Sequence, residues 1–226
     1  LIQPKRACVF TATQPFTTDL INSNRKWFKY CWVWEKNYGT NFASVRFQPM
    51  KQHEDIVVFC NASPLYNPQK IRRTESGISR AKYAVNPSNT GKRKFLGIGE
   101  ETIVRPPKND EKRCPSSVLK FNMEVGIHPT QKPVALFEYL IRTYTNEGDT
   151  VVDPTAGSMT TAIPCLNTNR RYVCIEKDPD EYRKGLKRVQ DYIAAPKQGD
   201  IFNPTPPPSA PTIRHEQTTI FDALNP

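Results

Sequence analysis

Thr150-Val-Val-Asp153-Pro-Thr-Ala-Gly157-Ser-Met-Thr-Thr161 decides the fold. Thr150–Asp153 is a β-branched run that reads as a strand, Pro154–Gly157 as a tight turn, and Ser158 as the N-cap of a following helix. A strand, a glycine turn and a helix start, in that order, present backbone N–H groups to a small ligand at the carboxyl end of an α/β sheet. A second apolar run, Tyr172-Val-Cys-Ile-Glu176, ends on a carboxylate. An acid placed there suits a pair of ribose hydroxyls, as in dinucleotide folds. The competing reading of Glu176 is a solvated acid at the start of the next helix, since Lys177-Asp178-Pro179 follows. The turn holds Gly157 but no Gly-x-Gly-x-x-Gly run, which argues against a nicotinamide cofactor.

Outward from this stretch, residues 7–13 read as a buried strand and 15–26 as a helix. Residues 27–36 read as an aromatic strand with period-two alternation. Asn37–Pro49 reads as a loop and His53–Phe59 as another strand. Residues 60–127 show no sustained periodicity and are polar, basic and punctuated by Gly and Pro. A segment of that length inside a compact domain is functional or disordered. Within it, Gly97-Ile-Gly99 has no strand before it and reads as loop. Residues 133–145 predict a helix with Pro133 in its first turn and an apolar stripe of Leu136, Phe137, Leu140 and Ile141. Asp180–Tyr192 predicts a last amphipathic helix.

With 226 residues, 37% hydrophobic content and 21 prolines, the chain predicts one domain, 1–195, and a Pro-rich flexible tail, 196–226. Thr205-Pro-Pro-Pro-Ser-Ala-Pro211 is an extended spacer within that tail. No apolar run approaches the ~18 residues of a membrane span, and no signal peptide is visible. The six cysteines lack Cys-x-x-Cys spacing and read as reduced core thiols, which predicts a cytoplasmic protein. None of the three histidines has metal-ligand spacing. The net charge of +10 is concentrated: residues 66–120 hold 13 Lys/Arg against 5 acids. Such a focus, with Arg72, Arg73, Arg93 and Lys94 as candidate contacts, suits a polyanion such as DNA. The competing reading is a solvated basic loop.

Three motifs in this order, His128-Pro-Thr130-Gln131-Lys132-Pro133, the 150–161 stretch and the strand ending at Glu176, resemble the cofactor half of the DNA amino-methyltransferases. These enzymes methylate adenine N6 or cytosine N4. The resemblance covers residues 1–195. It implies an α/β, Rossmann-like S-adenosylmethionine-dependent methyltransferase sheet with an antiparallel hairpin edge and a basic insertion, 60–127, as the variable target-recognition region. It implies S-adenosylmethionine as cofactor. Thr130, Gln131 and Lys132 would hold the methionine end, Lys132 neutralising its carboxylate. Asp153, Thr155, Ala156, Gly157 and Ser158 would form the turn, and Glu176 would take the ribose. Adenine N6 is favoured as target, in a restriction-modification, phage or prophage setting. Two departures stand out: the family turn has Phe at Thr155 and Gly at Met159. Pro164, some six residues into a helix starting at Ser158, predicts a kink or a weakened site.

The family's Asp/Asn/Ser-Pro-Pro-Tyr tetrapeptide, whose polar side chain and aromatic ring receive the flipped base, is not matched. Val104-Arg-Pro-Pro-Lys108, Thr205-Pro-Pro-Pro and Ser63-Pro-Leu-Tyr66 each lack part of it. The expectation is that the catalytic loop lies upstream of Leu1 and that its strand is missing beside the cofactor strand. The alternative function is an inactive DNA-binding remnant. Gln217-Thr-Thr-Ile220-Phe221 resembles the bacterial sliding-clamp pentapeptide and suggests a clamp as second partner. The competing reading folds Ile220 and Phe221 back onto the domain.

Overall fold

The computed structural model describes residues 4–83, 111–124 and 131–195. The chain divides into two compact units, Leu1–Gln190 and Asp191–Pro226. In the second, residues 191–195 are described and continue the last helix.

In the first unit, β1 (Cys8–Ala12), β2 (Phe28–Thr40), β3 (Lys51–Phe59) and β6 (Val118–Lys120) form a four-stranded sheet in the order β1-β3-β2-β6. β2 and β3 make an antiparallel hairpin in which Trp32 faces Ile56 and Trp34 faces Glu54. β1 pairs antiparallel with β3, and β6 runs parallel to β2. Period-two alternation sends the strands' apolar residues to two faces. Trp32, Trp34, Ile56 and Val58 pack with Leu119 and with Leu136, Leu140 and Tyr144 of α3 (Val134–Tyr144). On the other face, Ala12, Val57 and Phe59 meet Leu20 and Ile21 of α1 (Phe16–Ser23). Helices on both faces make this a three-layer α/β domain.

β7 (Thr150–Asp153) and β8 (Arg171–Cys174) form a parallel pair joined by α4 (Ala162–Asn167), and α5 (Pro179–Ala194) follows. Among the described residues β7 pairs with β8 alone. Side chains tie this pair to the rest. Arg6, just before β1, holds Asp149 through two hydrogen bonds of 2.5 and 3.0 Å. Buried Arg170 donates to the hydroxyl and carbonyl of Thr145 at the end of α3.

Residues 60–127, read as lacking regular structure, contain β4 (Ile71–Arg72), α2 (Glu75–Tyr83), β5 (Lys112–Arg113) and β6. β6 is a strand of the main sheet and buries Leu119 in its core. β2 runs on through Asn37–Thr40, which had read as loop, because Thr40 still pairs with Lys51.

The segment after β7 differs most from expectation. Ser158 is not an N-cap; the helix starts at Ala162 with Thr161 in the cap position. Met159 takes a left-handed φ of 51°, and successive turns close from Met159 N to Ala156 O and from Ala162 N to Met159 O. Pro164 is therefore the third helical residue, where its missing N–H has no intrahelical partner to lose. Neither a kink nor a weakened helix follows from it.

Candidate cofactor site

Asp153 ends β7 and fastens the turn to both sides. Its Oδ1 accepts from Thr155 N–H at 3.1 Å and its Oδ2 from the Thr161 hydroxyl at 2.5 Å. Ala156 N–H donates to Ile175 O at 2.9 Å, so the turn rests on the exit of β8. There Glu176 accepts Gly157 N–H on Oε2 at 2.7 Å and Asp178 N–H on Oε1 at 3.0 Å. The N–H groups of Asp178 and Gly157 hold the carboxyl below the usual glutamate range. Gly157 has a φ of 49°, and a Cβ there would meet nothing within 4 Å. The turn thus opens onto space beside a fixed carboxylate. Thr155 is exposed and Ala156 buried.

α5 braces the turn from behind, a role the sequence reading missed. A Cβ on Gly185 would lie 2.8 Å from Gly157 O and 2.8 Å from Met159 Cγ. One turn further, Arg188 donates to Ser158 O at 2.9 Å and to the Thr160 hydroxyl at 3.0 Å. Ser158 is buried, with its hydroxyl 3.0 Å from that of Thr160. Burial pulls the Arg188 guanidinium down, and Glu124 opposes that shift. A glycine inside an otherwise good helix was the available signal. Gly185→Ala is expected to cost roughly 1–3 kcal/mol by overpacking. At an exposed helical site the same change gains about 1 kcal/mol. Thermal melts of the two proteins decide the sign.

The described end of the 128–133 motif leads into α3. Of its residues, Gln131, Lys132 and Pro133 are described; His128 and Thr130 lie outside the described residues. Gln131 Oε1 is buried with no hydrogen-bond partner. Lys132 was expected to neutralise a ligand carboxylate, but its ammonium sits 2.6 Å from Glu54 Oε2. Lys36 holds the other oxygen of Glu54 at 2.7 Å, and both ammonium groups lie over the Trp34 ring, 5.2 and 5.7 Å from its centroid. A carboxylate this buried needs such compensation. Burial raises the Glu54 pKa, but the bonds from Lys132 and Lys36 outweigh it and leave the group below its ordinary value. Glu124 accepts Val134 N–H at 2.9 Å, satisfying a free donor at the start of α3. Glu124 also lies within electrostatic reach of Arg188. Hydrogen bonds tie the glycine turn to Arg188 and the α3 start to Glu124, and Lys132, next to the α3 start, pairs with Glu54 on the hairpin.

Burial pushes Cys165 and Cys174 up to about 12. Among the described residues no group of His, Cys, Asp and Glu has the arrangement of a metal site, and no helix is long and apolar enough to cross a membrane. Of the candidate DNA contacts, Arg72 in β4 is exposed and lies 3.5 Å from Glu75. Arg73 donates its Nε–H to Lys112 O at 3.1 Å, which bridges β4 and β5. Arg93 and Lys94, and Gln217, Ile220 and Phe221 of the clamp-like peptide, lie outside the described residues.

A parallel strand pair, a glycine turn and an acid after the second strand, beside a sheet with an antiparallel hairpin, define the Rossmann-like methyltransferase fold. The sequence matches the N6/N4 DNA methylase family over residues 5–187, and the chain belongs to that family. It is 42% identical over 90 residues to the DNA adenine methyltransferase YhdJ of Escherichia coli K12, covering 37% of this chain and 31% of that protein. It is 43% identical over 146 residues to the type II methyltransferase M.HpaI of Haemophilus parainfluenzae, covering 61% of this chain and 38% of that one. The chain thus spans about a third of the length of these curated relatives. The crystal structure of the M1.HpyAVI–SAM complex shares the fold, with a TM-score of 0.53 at 24% identity over 83% of this chain and 76% of that one. The cytosine-N4-specific PvuII DNA methyltransferase does so with a TM-score of 0.56 at 15% identity, over 83% and 64%.

Proposed function

We propose that this chain carries the cofactor site of an S-adenosylmethionine-dependent DNA methyltransferase whose target is an exocyclic base amine, adenine N6 in preference to cytosine N4. The observation that carries the reading is the Glu176 carboxylate fixed on Gly157 N–H beside open space. A carboxylate has about four acceptor sites, and two backbone N–H groups leave room for two ribose hydroxyls. Gln131 Oε1, buried and unpaired, suits a donor such as the ammonium of the methionine end. Lys132 acts through Glu54 to fix the loop that carries Gln131, and Arg188 and Gly185 hold the turn. The cofactor, when bound, supplies an electrophilic methyl group on a sulfonium. The adenine preference rests on the likeness to the adenine enzyme YhdJ.

The residues that would accept the amino proton and stack on the base are matched by no segment of this sequence. The chain's own contribution is to bind and orient. Transfer of tritiated methyl from S-adenosylmethionine to plasmid DNA, followed by nucleoside chromatography, tests the reading. N6-methyladenine supports it in full, and N4-methylcytosine corrects the base. Cofactor binding with no transfer favours a binding role for this chain alone.

A further inference from the structure

The tip of the β2–β3 hairpin carries a dense set of exposed apolar side chains. Phe42 is 66% exposed and Phe47 90%, with Tyr38, Val45 and Met50 also exposed. This tip is not a loose loop. Asn41 turns the chain with a φ of 74°, and backbone bonds run from Ser44 N to Asn41 O, Phe47 N to Ser44 O and Gln48 N to Ser44 O. At its base the two strands approach so closely that a Cβ on Gly39 would lie 2.7 Å from Met50 Cβ. Asn37 tethers the same base by accepting Met123 N–H at 2.9 Å. The aromatic rings are thus held out on a loop closed by a 3-10 turn, Phe42–Ser44, instead of being buried.

Charge selects the partner. From Lys36 to His53 the sequence contains Lys36, Arg46 and Lys51 and no acid. Lys36 is spent on Glu54, while Arg46 and Lys51 are exposed on the tip. At the base, Glu35 is neutralised by Lys120 at 3.1 Å. Exposed aromatics interleaved with cations and amides on a structured loop between two strands suit nucleic acid. An aromatic side chain held out in this way stacks on an unstacked base, and cations take phosphates. The hairpin is also joined to the proposed cofactor site, through Glu54 and Lys132.

We propose that the β2–β3 hairpin tip is a DNA-contacting element in which Phe47, flanked by Phe42, stacks on bases while Arg46 and Lys51 neutralise phosphates. This rests on the reading of the chain as a DNA methyltransferase part. It adds a contact outside the basic 66–120 segment.

Fluorescence anisotropy of the full chain on a labelled mixed-sequence duplex, with S-adenosylhomocysteine present and salt varied between about 50 and 200 mM, tests it. Phe47→Ser is expected to weaken binding roughly tenfold with the salt slope unchanged, because a stacking contact and no charge is lost. Phe47→Trp is expected to bind like the parent. Arg46→Gln with Lys51→Gln is expected to weaken binding and to flatten the slope by about 2. Parental affinity in Phe47→Ser overturns the proposal and leaves the methyltransferase reading intact. A changed sedimentation mass for Phe47→Ser makes the tip a contact between copies of the chain. A sharply lowered melting temperature makes it a surface covered by the chain's own segments. Either result overturns the DNA assignment. A parent that binds S-adenosylhomocysteine but no DNA overturns both readings of DNA as partner.

Discussion

Glu54→Leu is expected to lower stability by about 3–5 kcal/mol, because it strands two ammonium groups against the Trp34 ring with no counter-charge. For a unit of this size the melting temperature should fall on the order of 10 °C. Lys36, only 7% exposed, has no easy path to water. Replacing both lysines by Met in the Glu54→Leu background should recover much of the loss, as apolar substitutes for buried ion groups do. The pH dependence has a definite sign. The folded-state pKa of Glu54 lies below its ordinary value, so its contribution is present above the unfolded-state pKa and fades as pH falls through the folded one. Parent and variant should therefore converge in acid. Parallel melts across the acid range check both points, and an undiminished gap at low pH would contradict the charge account.

Glu176→Ala is expected to weaken S-adenosylmethionine binding by about 1–3 kcal/mol, roughly fivefold to 150-fold, with only a small fall in melting temperature. The separation of the two effects follows from position. Glu176 is half-buried at the rim, accepts one N–H of the turn and one from Asp178 after β8, and lies outside both core clusters. Because Asp178 N–H and Gly157 N–H keep the carboxyl ionised below the usual range, parent affinity should persist as pH falls through the range where a free glutamate protonates. Glu176→Gln, which keeps one acceptor oxygen, should fall between the two. Equilibrium dialysis with labelled cofactor gives the three constants.

Elements with a long, clean pattern were legible from sequence. The alternation in residues 27–36, the β-branched run Thr150–Asp153 and the stripe of α3 appear where the periodicity places them. What was missed was decided by contacts distant in sequence. β6 has three residues, too few for any period, and becomes a strand because Val33–Glu35 offers it a ladder. The helix start moved from Ser158 to Ala162 because Met159 adopts a left-handed backbone, which costs a residue with a Cβ about 1–2 kcal/mol and which no propensity foretells. Its side chain is buried against Gly185, a partner 26 positions away.

The candidate site divides the same way. Asp153, Gly157 and Glu176 were legible because strand ends and a glycine turn are local features, and the structure brings all three together. The family resemblance gives Lys132 a ligand carboxylate. Its pairing with Glu54, 78 residues away, becomes visible only when β3 packs near residues 131–133. Arg188 reads from sequence as one more charge on an amphipathic helix. Its hydrogen bonds to Ser158 and Thr160 depend on α5 lying across the turn.

The turn between β7 and α4 is the proposed seat of the cofactor. The most direct measurement is a titration of the isotopically labelled chain with S-adenosylhomocysteine, followed through backbone amide resonances. Saturable shifts centred on Asp153–Thr161 and Glu176–Asp178, with the Gly157 amide among the largest, are the predicted result. Binding whose shifts leave Gly157 and Glu176 unmoved, or no binding at millimolar ligand, would contradict it.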